Sequence, residues 1–113
     1  MTGDAPWLVL GLGNPGAQYA GNRHNIGFMT VDVLADRAGA SFKAHKARAD
    51  VAETRIAGQR CVLAKARVFM NESGGPAAGL TKFFKVPLDQ LVVIHDELDL
   101  EPGAIRLKLG GGD

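Results

Sequence analysis

The sequence predicts an α/β fold, in which residues 1–113 form one domain with a twisted mixed β-sheet and helices packed on its faces. Short apolar runs typical of strands alternate with segments of helical periodicity, in the order β, α, β, β, α, β, β. A single helix between two strands is a crossover that joins parallel strands, whereas a short turn joins antiparallel ones. Both kinds of connection occur in this order, so the sheet is expected to be mixed.

The first two elements are a strand and a helix. Residues 7–11 form a short apolar run that ends in glycine, which is typical of a buried strand. A loop rich in Gly, Asn and Pro follows over residues 12–24. Helical spacing begins at Asn25, and Gly39 is placed to end that helix. The apolar residues at helical spacing are Ile26, Met29, Val33 and Leu34.

The remaining strands include a hairpin. The strand-like runs 49–57 and 60–66 flank Gly58-Gln59, a pair that predicts a tight turn. Residues 91–94 are a continuous apolar run and predict a second buried strand. Residues 104–109 alternate apolar and basic side chains, which is the period of a half-exposed strand.

The second helix lies between the hairpin and the strand at 91–94. Ser73 is a candidate N-cap, and Pro76 fits the first helical turn, where its missing N–H is not needed. Pro87 is expected to end the helix. The apolar residues predicted inside it are Leu80, Phe83 and Phe84.

Composition and charge exclude several classes of protein. The formal net charge of +1 argues against a surface that is basic throughout. The single Cys61 cannot form an internal disulfide or a paired-cysteine zinc site, and its apolar neighbours predict a buried, unreactive thiol in a strand. No apolar run approaches the roughly 20 residues that span a bilayer, and no basic leader opens the chain. A cytoplasmic protein without membrane contact is expected.

Charge is uneven along the chain. Residues 43–67 carry seven basic and two acidic side chains, whereas residues 89–103 carry five acidic and no basic ones. A basic hairpin next to an acidic loop would place a phosphate-binding surface beside an acid–base site. The alternative is that the hairpin face is simply solvated.

The glycine pattern after the first strand has two interpretations. Gly11, Gly13 and Gly16 spell G-x-G-x-x-G, the dinucleotide fingerprint. That fingerprint needs a helix to open at its last glycines, and here the helical pattern starts only near Asn25. The favoured interpretation is a sharp turn that makes Asn14 project from the strand end.

Two polar segments are candidates for acid–base chemistry. His24 directly precedes a helix N-terminus, whose dipole favours the neutral imidazole that a general base requires. Asp96 follows the most apolar strand, where a carboxylate can accept a hydrogen bond from a nearby histidine and fix its tautomer. The alternatives are a histidine that caps a turn, a charged surface turn, and a metal site formed by His95, Asp96 and Asp99.

A fourth segment, Phe69, Met70 and Asn71, joins a strand to a helix. Its apolar side chains favour a platform for a ligand, and its amide can donate and accept hydrogen bonds; packing around a turn is the alternative. A base, an orienting carboxylate and two amide groups are the components of a hydrolase that activates water.

The ordered motifs closely resemble those of the bacterial peptidyl-tRNA hydrolase family. The similarity runs from Trp7 to the last residue. The matching segments are residues 11–16 (Gly-Leu-Gly-Asn-Pro-Gly), Tyr19, 23–27 (Arg-His-Asn-Ile-Gly), 69–74 (Phe-Met-Asn-Glu-Ser-Gly), 95–100 (His-Asp-Glu-Leu-Asp-Leu) and 108–112 (Lys-Leu-Gly-Gly-Gly).

The resemblance implies an enzyme that cuts the ester between peptide and tRNA. His24 matches the catalytic base of the family and Asp96 the acid that stabilises it. Asn14 matches the residue that separates blocked from free aminoacyl-tRNA. Tyr19, Phe69 and Asn71 match substrate-contacting positions, and Met70 lies among them.

The resemblance also carries expectations about partners and extent. It implies tRNA as the substrate, no metal or cofactor, and a monomer. Family members continue past the glycine run with a Gly-His-Asn-Gly stretch and further helices, so residues 1–113 are expected to be the N-terminal part of the domain. A tRNA-binding fragment without catalysis is the alternative function.

Overall fold

The computed structural model describes residues 5–13, 26–67, 74–96 and 105–109. Besides a 3₁₀ helix at Leu88–Gln90, the α-helices and strands in these residues follow the predicted order with one addition, the short strand β2, which the sequence did not predict. They are β1 Trp7–Gly11, α1 Ile26–Ala38, β2 Lys43–His45, β3 Ala49–Ile56, β4 Gln59–Ala66, α2 Gly74–Phe84, β5 Leu91–Asp96 and β6 Ile105–Leu109.

All six strands form one mixed sheet, which confirms the predicted fold class. The strand order is β2-β3-β4-β1-β5-β6. Strand β1 is central and runs parallel to both β4 and β5. The other neighbouring strands pair in antiparallel fashion. The parallel trio therefore forms the middle of the sheet, and hairpins extend it on both sides.

The two helices cover opposite faces of this sheet. Leu8 and Leu10 of β1 belong to a buried cluster that includes Leu80 of α2. The alternate residues of β1, Trp7 and Val9, pack against the cluster that contains Val31 of α1. This division follows from the two-residue period of a strand, which sends successive side chains to opposite faces.

Helix α1 confirms the helix that the sequence predicts. Its buried side chains include Phe28, Val31 and Ala35, at spacings of three and four residues. Val33 lies within the helix, as its spacing predicts, but it is 51% exposed and does not belong to the packed face. Val33 lies two residues from Val31 and is therefore rotated by about 200° around the helix axis. Gly39 ends the helix with φ +68°, as predicted.

The β3–β4 hairpin turns one residue earlier than predicted. Ile56 pairs with Gln59, so the turn residues are Ala57 and Gly58. Both have positive φ, at 53° and 80°. Two such residues in a row are the pattern of a type I′ turn, whose twist matches that of the flanking strands.

Helix α2 has Pro76 in its first turn and contains Leu80, as predicted; both are buried, while Phe84 packs half-buried against the same core. Phe83 lies within the helix, as predicted, but its side chain is 53% exposed. The helix ends at Phe84, before Pro87, and Lys85 directly after it has φ 57°. The predicted cap Ser73 lies outside the described residues.

Candidate active site

The carboxyl ends of three strands meet at one edge of the sheet. Strands β1, β4 and β5 are parallel, and Gly11 at the end of β1 pairs with Lys65 on one side and Ile94 on the other. The helices that follow β1 and β4 cover opposite faces of the sheet. Open α/β sheets bind their ligands outside the carboxyl ends of the strands, at the point where the strand order reverses.

The start of α1 is packed against this edge at the level of the backbone. A Cβ atom on Gly27 would lie 2.3 Å from the carbonyl oxygen of Ile94 and 2.4 Å from that of Leu12. A Cβ atom on Gly11 would lie 2.4 Å from the carbonyl oxygen of Gly27. Both positions therefore need glycine, because the atoms that a side chain would meet belong to the backbone and cannot rotate away.

A hydrogen bond completes this junction. The backbone N–H of Leu12 donates to the carbonyl of Ile94 over 3.0 Å, which continues the β1–β5 pairing beyond the end of β1. The end of β1, the end of β5 and the first turn of α1 therefore meet at one point. We call these four residues, Gly11, Leu12, Gly27 and Ile94, the backbone junction.

The predicted catalytic residues are close to this junction in the sequence. Asp96 ends β5, two residues beyond Ile94, and its Cα pairs with Ile105 of β6. Asn14 and His24 lie outside the described residues, in the segment between Gly13 and Ile26. The predicted substrate-contacting residues, Tyr19, Phe69, Met70 and Asn71, also lie outside them.

The basic segment 43–67 is divided between the two ends of its strands. Lys65 is not a solvated cation, because its Nζ lies 2.7 Å from Oδ1 of Asp32 in α1 and 4.4 Å from the centre of the Phe42 ring. Arg55 and Arg60 face each other near the β3–β4 turn, at the edge opposite to the backbone junction.

Three further basic residues of the segment, Lys46, Arg48 and Arg67, lie at the edge that carries the backbone junction. Ala66 pairs with Ala49, and Ala49 pairs with His45, so the β2–β3 turn lies beside the carboxyl end of β4. Lys46 and Arg48 are in this turn. Arg67, directly after β4, lies next to it.

Cys61 is not a candidate nucleophile. It is buried in β4, and burial raises the pKa of its thiol to about 11, so the reactive thiolate is scarce at neutral pH. This agrees with the predicted unreactive thiol. The acidic residues that a dinucleotide fingerprint would require at a second strand, Asp32 and Asp36, lie within α1.

Two further sequence predictions can be compared with the described part of the chain. Neither α1 nor α2 is long and apolar enough to cross a membrane. In residues 5–13, 26–67, 74–96 and 105–109, no three His, Cys, Asp or Glu residues are grouped as metal ligands would be. Asp99 of the alternative metal site lies outside these residues.

Comparison with known proteins decides the family. The family model for peptidyl-tRNA hydrolase matches residues 8–113. The chain belongs to the peptidyl-tRNA hydrolase family. The resemblance seen in the sequence motifs is thus confirmed, and the motif order reflects common descent rather than chance.

Individual members of the peptidyl-tRNA hydrolase family extend this result. A peptidyl-tRNA hydrolase of Frankia casuarinae is 64% identical over 112 residues, which are 99% of this chain and 57% of the relative. One of Streptomyces coelicolor is 59% identical over 115 residues, covering 96% and 58%. The crystal structure of peptidyl-tRNA hydrolase from Acinetobacter baumannii matches with a TM-score of 0.82 at 39% identity, covering 99% and 58%. The chain spans slightly more than half the length of these relatives.

Sequence reasoning missed two features of this family site. It assigned no role to Gly27, although a glycine in the first turn of a helix, after a strand that also ends in glycine, signals close packing. It also treated the basic hairpin as one surface, because the short strand β2 was not recognised. Without β2, nothing indicated that Lys46 and Arg48 lie at one end of the strands and Arg55 and Arg60 at the other.

Proposed function

We propose that the chain hydrolyses the ester bond of peptidyl-tRNA, or of any N-blocked aminoacyl-tRNA, and releases the peptide and free tRNA. His24 is the general base, Asp96 orients its imidazole, and Asn14 binds a carbonyl that the blocked substrate has and a free aminoacyl group lacks. The proposal includes a cytoplasmic monomer that needs no metal or cofactor.

The backbone junction is the observation that carries this proposal. It holds the start of α1 against the ends of β1 and β5, with Gly27 within van der Waals contact of Leu12 and Ile94. His24 comes three residues before Gly27, Asn14 two residues after Leu12, and Asp96 two residues after Ile94. Segments that carry a base, an amide and a carboxylate are therefore anchored at a common point, which favours a joint role in catalysis.

The proposed reaction is a direct attack by water. His24 removes a proton from water as the water oxygen bonds to the ester carbonyl carbon. The bond from that carbon to the ribose oxygen then breaks, and the ribose oxygen takes the proton from the imidazolium. Asp96 stabilises this imidazolium, as a carboxylate hydrogen-bonded to a histidine does in other hydrolases.

The substrate-binding residues of the proposal are Tyr19, Phe69, Met70 and Asn71. Phe69 to Asn71 follow β4 in the sequence, and the carboxyl end of β4 lies at the same edge of the sheet as the backbone junction. Aromatic rings stack on unpaired bases, and the 3′ end of tRNA is single-stranded.

The test is hydrolysis of N-acetyl-aminoacyl-tRNA, with free aminoacyl-tRNA as the comparison substrate. We expect the blocked substrate to be cleaved and the free one to be spared. His24→Ala should lower kcat about 10²- to 10⁴-fold, the usual contribution of a general base. Asp96→Asn should lower kcat less, whereas the control Asp36→Asn, an exposed aspartate late in α1, should leave it unchanged.

The same experiment separates the alternative function. A fragment that binds tRNA without cleaving it would retain the substrate on a filter with no release of N-acetyl amino acid. Full activity of His24→Ala would contradict the assigned base even if hydrolysis occurs.

A further inference from the structure

A basic and aromatic surface lies beside the proposed site on the β2–β3 turn. We call it the turn patch and define it by Lys46, Arg48, Arg67 and Phe83. Lys46, Arg48 and Arg67 are exposed, and Phe83 is 53% exposed although it is a large apolar side chain. The acidic residue that the structure places in contact with this group is Asp50, which lies 3.3 Å from Arg67.

Hydrogen bonds fix the turn to the end of β4. The backbone N–H of Arg67 donates to the carbonyl of Arg48 over 2.7 Å. The guanidinium of Arg67 donates to the carbonyl of His45 over 2.9 Å. Arg48 has φ 62°, a left-handed conformation that is uncommon outside glycine, and these bonds hold the turn in which it occurs. The cations are therefore presented on an ordered turn.

Phe83 joins the turn to helix α2. Its ring meets the imidazole of His45 edge-on, with 4.6 Å between the ring centres and 82° between the planes. The ammonium of Lys46 lies 5.5 Å from the centre of the Phe83 ring. Proteins bind single-stranded nucleic acid with exposed aromatic rings next to cations. The ring stacks on a base, and the cation contacts a phosphate.

We infer that the turn patch binds the RNA backbone of the substrate next to the cleavage site; this rests on the proposed function. Arg67 comes two residues before Phe69, which belongs to the proposed substrate-binding segment, so the patch continues that segment along the chain. Lys46 and Arg48 neutralise phosphates, and Phe83 offers a stacking surface. Arg55 and Arg60, at the opposite end of the hairpin, do not contact the RNA.

The experiment compares the two ends of the hairpin. The first variant is Lys46→Gln with Arg48→Asn, in which asparagine tolerates the left-handed conformation of position 48. The matched control, Arg55→Gln with Arg60→Gln, removes the same charge from the opposite end. Binding of radiolabelled deacylated tRNA to the full chain is measured on filters at several salt concentrations.

The two double variants are expected to differ in the salt dependence of tRNA binding. Loss of two phosphate contacts should make the slope of log K against log [salt] shallower by about 1.4 to 1.8, and weaken binding about 25- to 60-fold at 0.1 M salt. The control pair should change the slope by less than about 0.5. A third variant, Phe83→Leu, should weaken binding about fivefold or more without changing the slope, because stacking releases no counterions.

The outcomes that would overturn the inference are distinct from failure of the proposed function. If the unaltered chain cleaves N-acetyl-aminoacyl-tRNA but the two pairs of substitutions have equal effects on the slope, the turn patch has no special role. An unchanged affinity of Phe83→Leu would remove the stacking contact. If the unaltered chain neither cleaves nor binds tRNA, the proposed function itself is wrong.

Discussion

Helices α1 and α2 both have glycine in their first two residues, but the surroundings of these glycines differ. Gly27 of α1 has the backbone of β1 and β5 where its side chain would be, at 2.3 to 2.4 Å. For Gly74 and Gly75 of α2, no atom of the described residues lies within 4 Å of an added Cβ. The same residue type therefore serves close packing at one helix start, whereas at the other it packs against no neighbour in the part of the chain that the structure describes.

The two helices that flank the candidate site are therefore fixed to the sheet in different ways. The α1 side is fixed by backbone contacts at its first turn, directly next to the segment that carries His24. The α2 side is fixed further along the helix, where Pro76 and Leu80 are buried. We conclude that the first turn of α1 depends on the backbone junction, whereas the first turn of α2 can accept substitution.

The largest expected effect is that of Gly27→Ala. The new methyl group would overlap two carbonyl oxygens that cannot move without shifting β1 or β5, so we expect a loss of about 3 kcal/mol or more in the free energy of unfolding. Urea unfolding followed by circular dichroism measures this loss. Cleavage of N-acetyl-aminoacyl-tRNA should fall with it, because the overlap displaces the helix that follows the base.

Gly75→Ala is the matched control for that variant. It adds the same methyl group to the second residue of the other helix, where space is open, and alanine is a better helix former than glycine. We expect stability to be unchanged or to rise by up to about 1 kcal/mol. Equal losses for both variants would contradict the comparison.

A second contact also distinguishes α1 from α2. Asp32 of α1 forms an ion pair with Lys65 of β4 over 2.7 Å, and the Lys65 side chain is only 15% exposed. Asp32→Asn removes the negative charge that lies against this largely buried ammonium, so we expect a loss of about 1 to 2 kcal/mol in the free energy of unfolding. The control Asp36→Asn, one turn later and exposed, should change stability by less than about 0.5 kcal/mol. A loss that disappears in 1 M salt would indicate a surface interaction instead.

The sequence predicts the elements that carry a local signal and fails where such a signal is absent. Strand β1 was predicted with its observed bounds, because an apolar run that ends in glycine is a local signal. The β3–β4 hairpin was displaced by one residue, since Ala57 adopts a left-handed conformation that its identity does not suggest. Strand β2 was missed because Lys43–His45 is too short to show a period.

The candidate site was harder to predict for a different reason. The contact of Gly27 with Ile94 joins residues that are far apart in the sequence, and a backbone contact leaves no periodic pattern. The ordered motifs identified the family, and the roles of Asn14, Tyr19, His24, Phe69, Met70 and Asn71 stay predictions. For Asp96 the structure adds its place at the end of β5, next to the backbone junction.

The carboxyl ends of the two helices provide a comparison with smaller effects. Both end in the same motif, in which the chain turns back through one left-handed residue: Gly39 with φ +68° in α1 and Lys85 with φ 57° in α2. Gly39→Ala should cost about 1 kcal/mol, whereas Lys85→Gly should stabilise by up to about 1 kcal/mol, because only glycine adopts this conformation without steric cost. Thermal unfolding of the two variants measures both. If both variants were stabilised, or both destabilised, the left-handed conformation at positions 39 and 85 would not determine the stability of the two helix ends.

The smallest expected effect is that of Gly79→Ala in the middle of α2, which is intermediate between Gly27 and Gly75. An added Cβ would lie 3.1 Å from Cβ of Ala47 in the β2–β3 turn, so the turn must shift by a few tenths of an ångström. That strain opposes a gain in helix propensity of about 1 kcal/mol, and we expect the two to cancel within about 0.5 kcal/mol.

A second substitution separates these opposing contributions to Gly79→Ala. In an Ala47→Gly background the methyl group that obstructs the new side chain is absent, so Gly79→Ala should then stabilise by the full amount of about 1 kcal/mol. The coupling between the two positions, measured by urea unfolding of both single variants and the double variant, equals the cost of the contact. A coupling of zero would mean that the β2–β3 turn yields freely. The space available to an added methyl group predicts the largest cost at Gly27, an intermediate one at Gly79 and none at Gly75. With a coupling of zero, Gly79 would behave like Gly75, and of these three glycines Gly27 at the backbone junction would alone be obstructed.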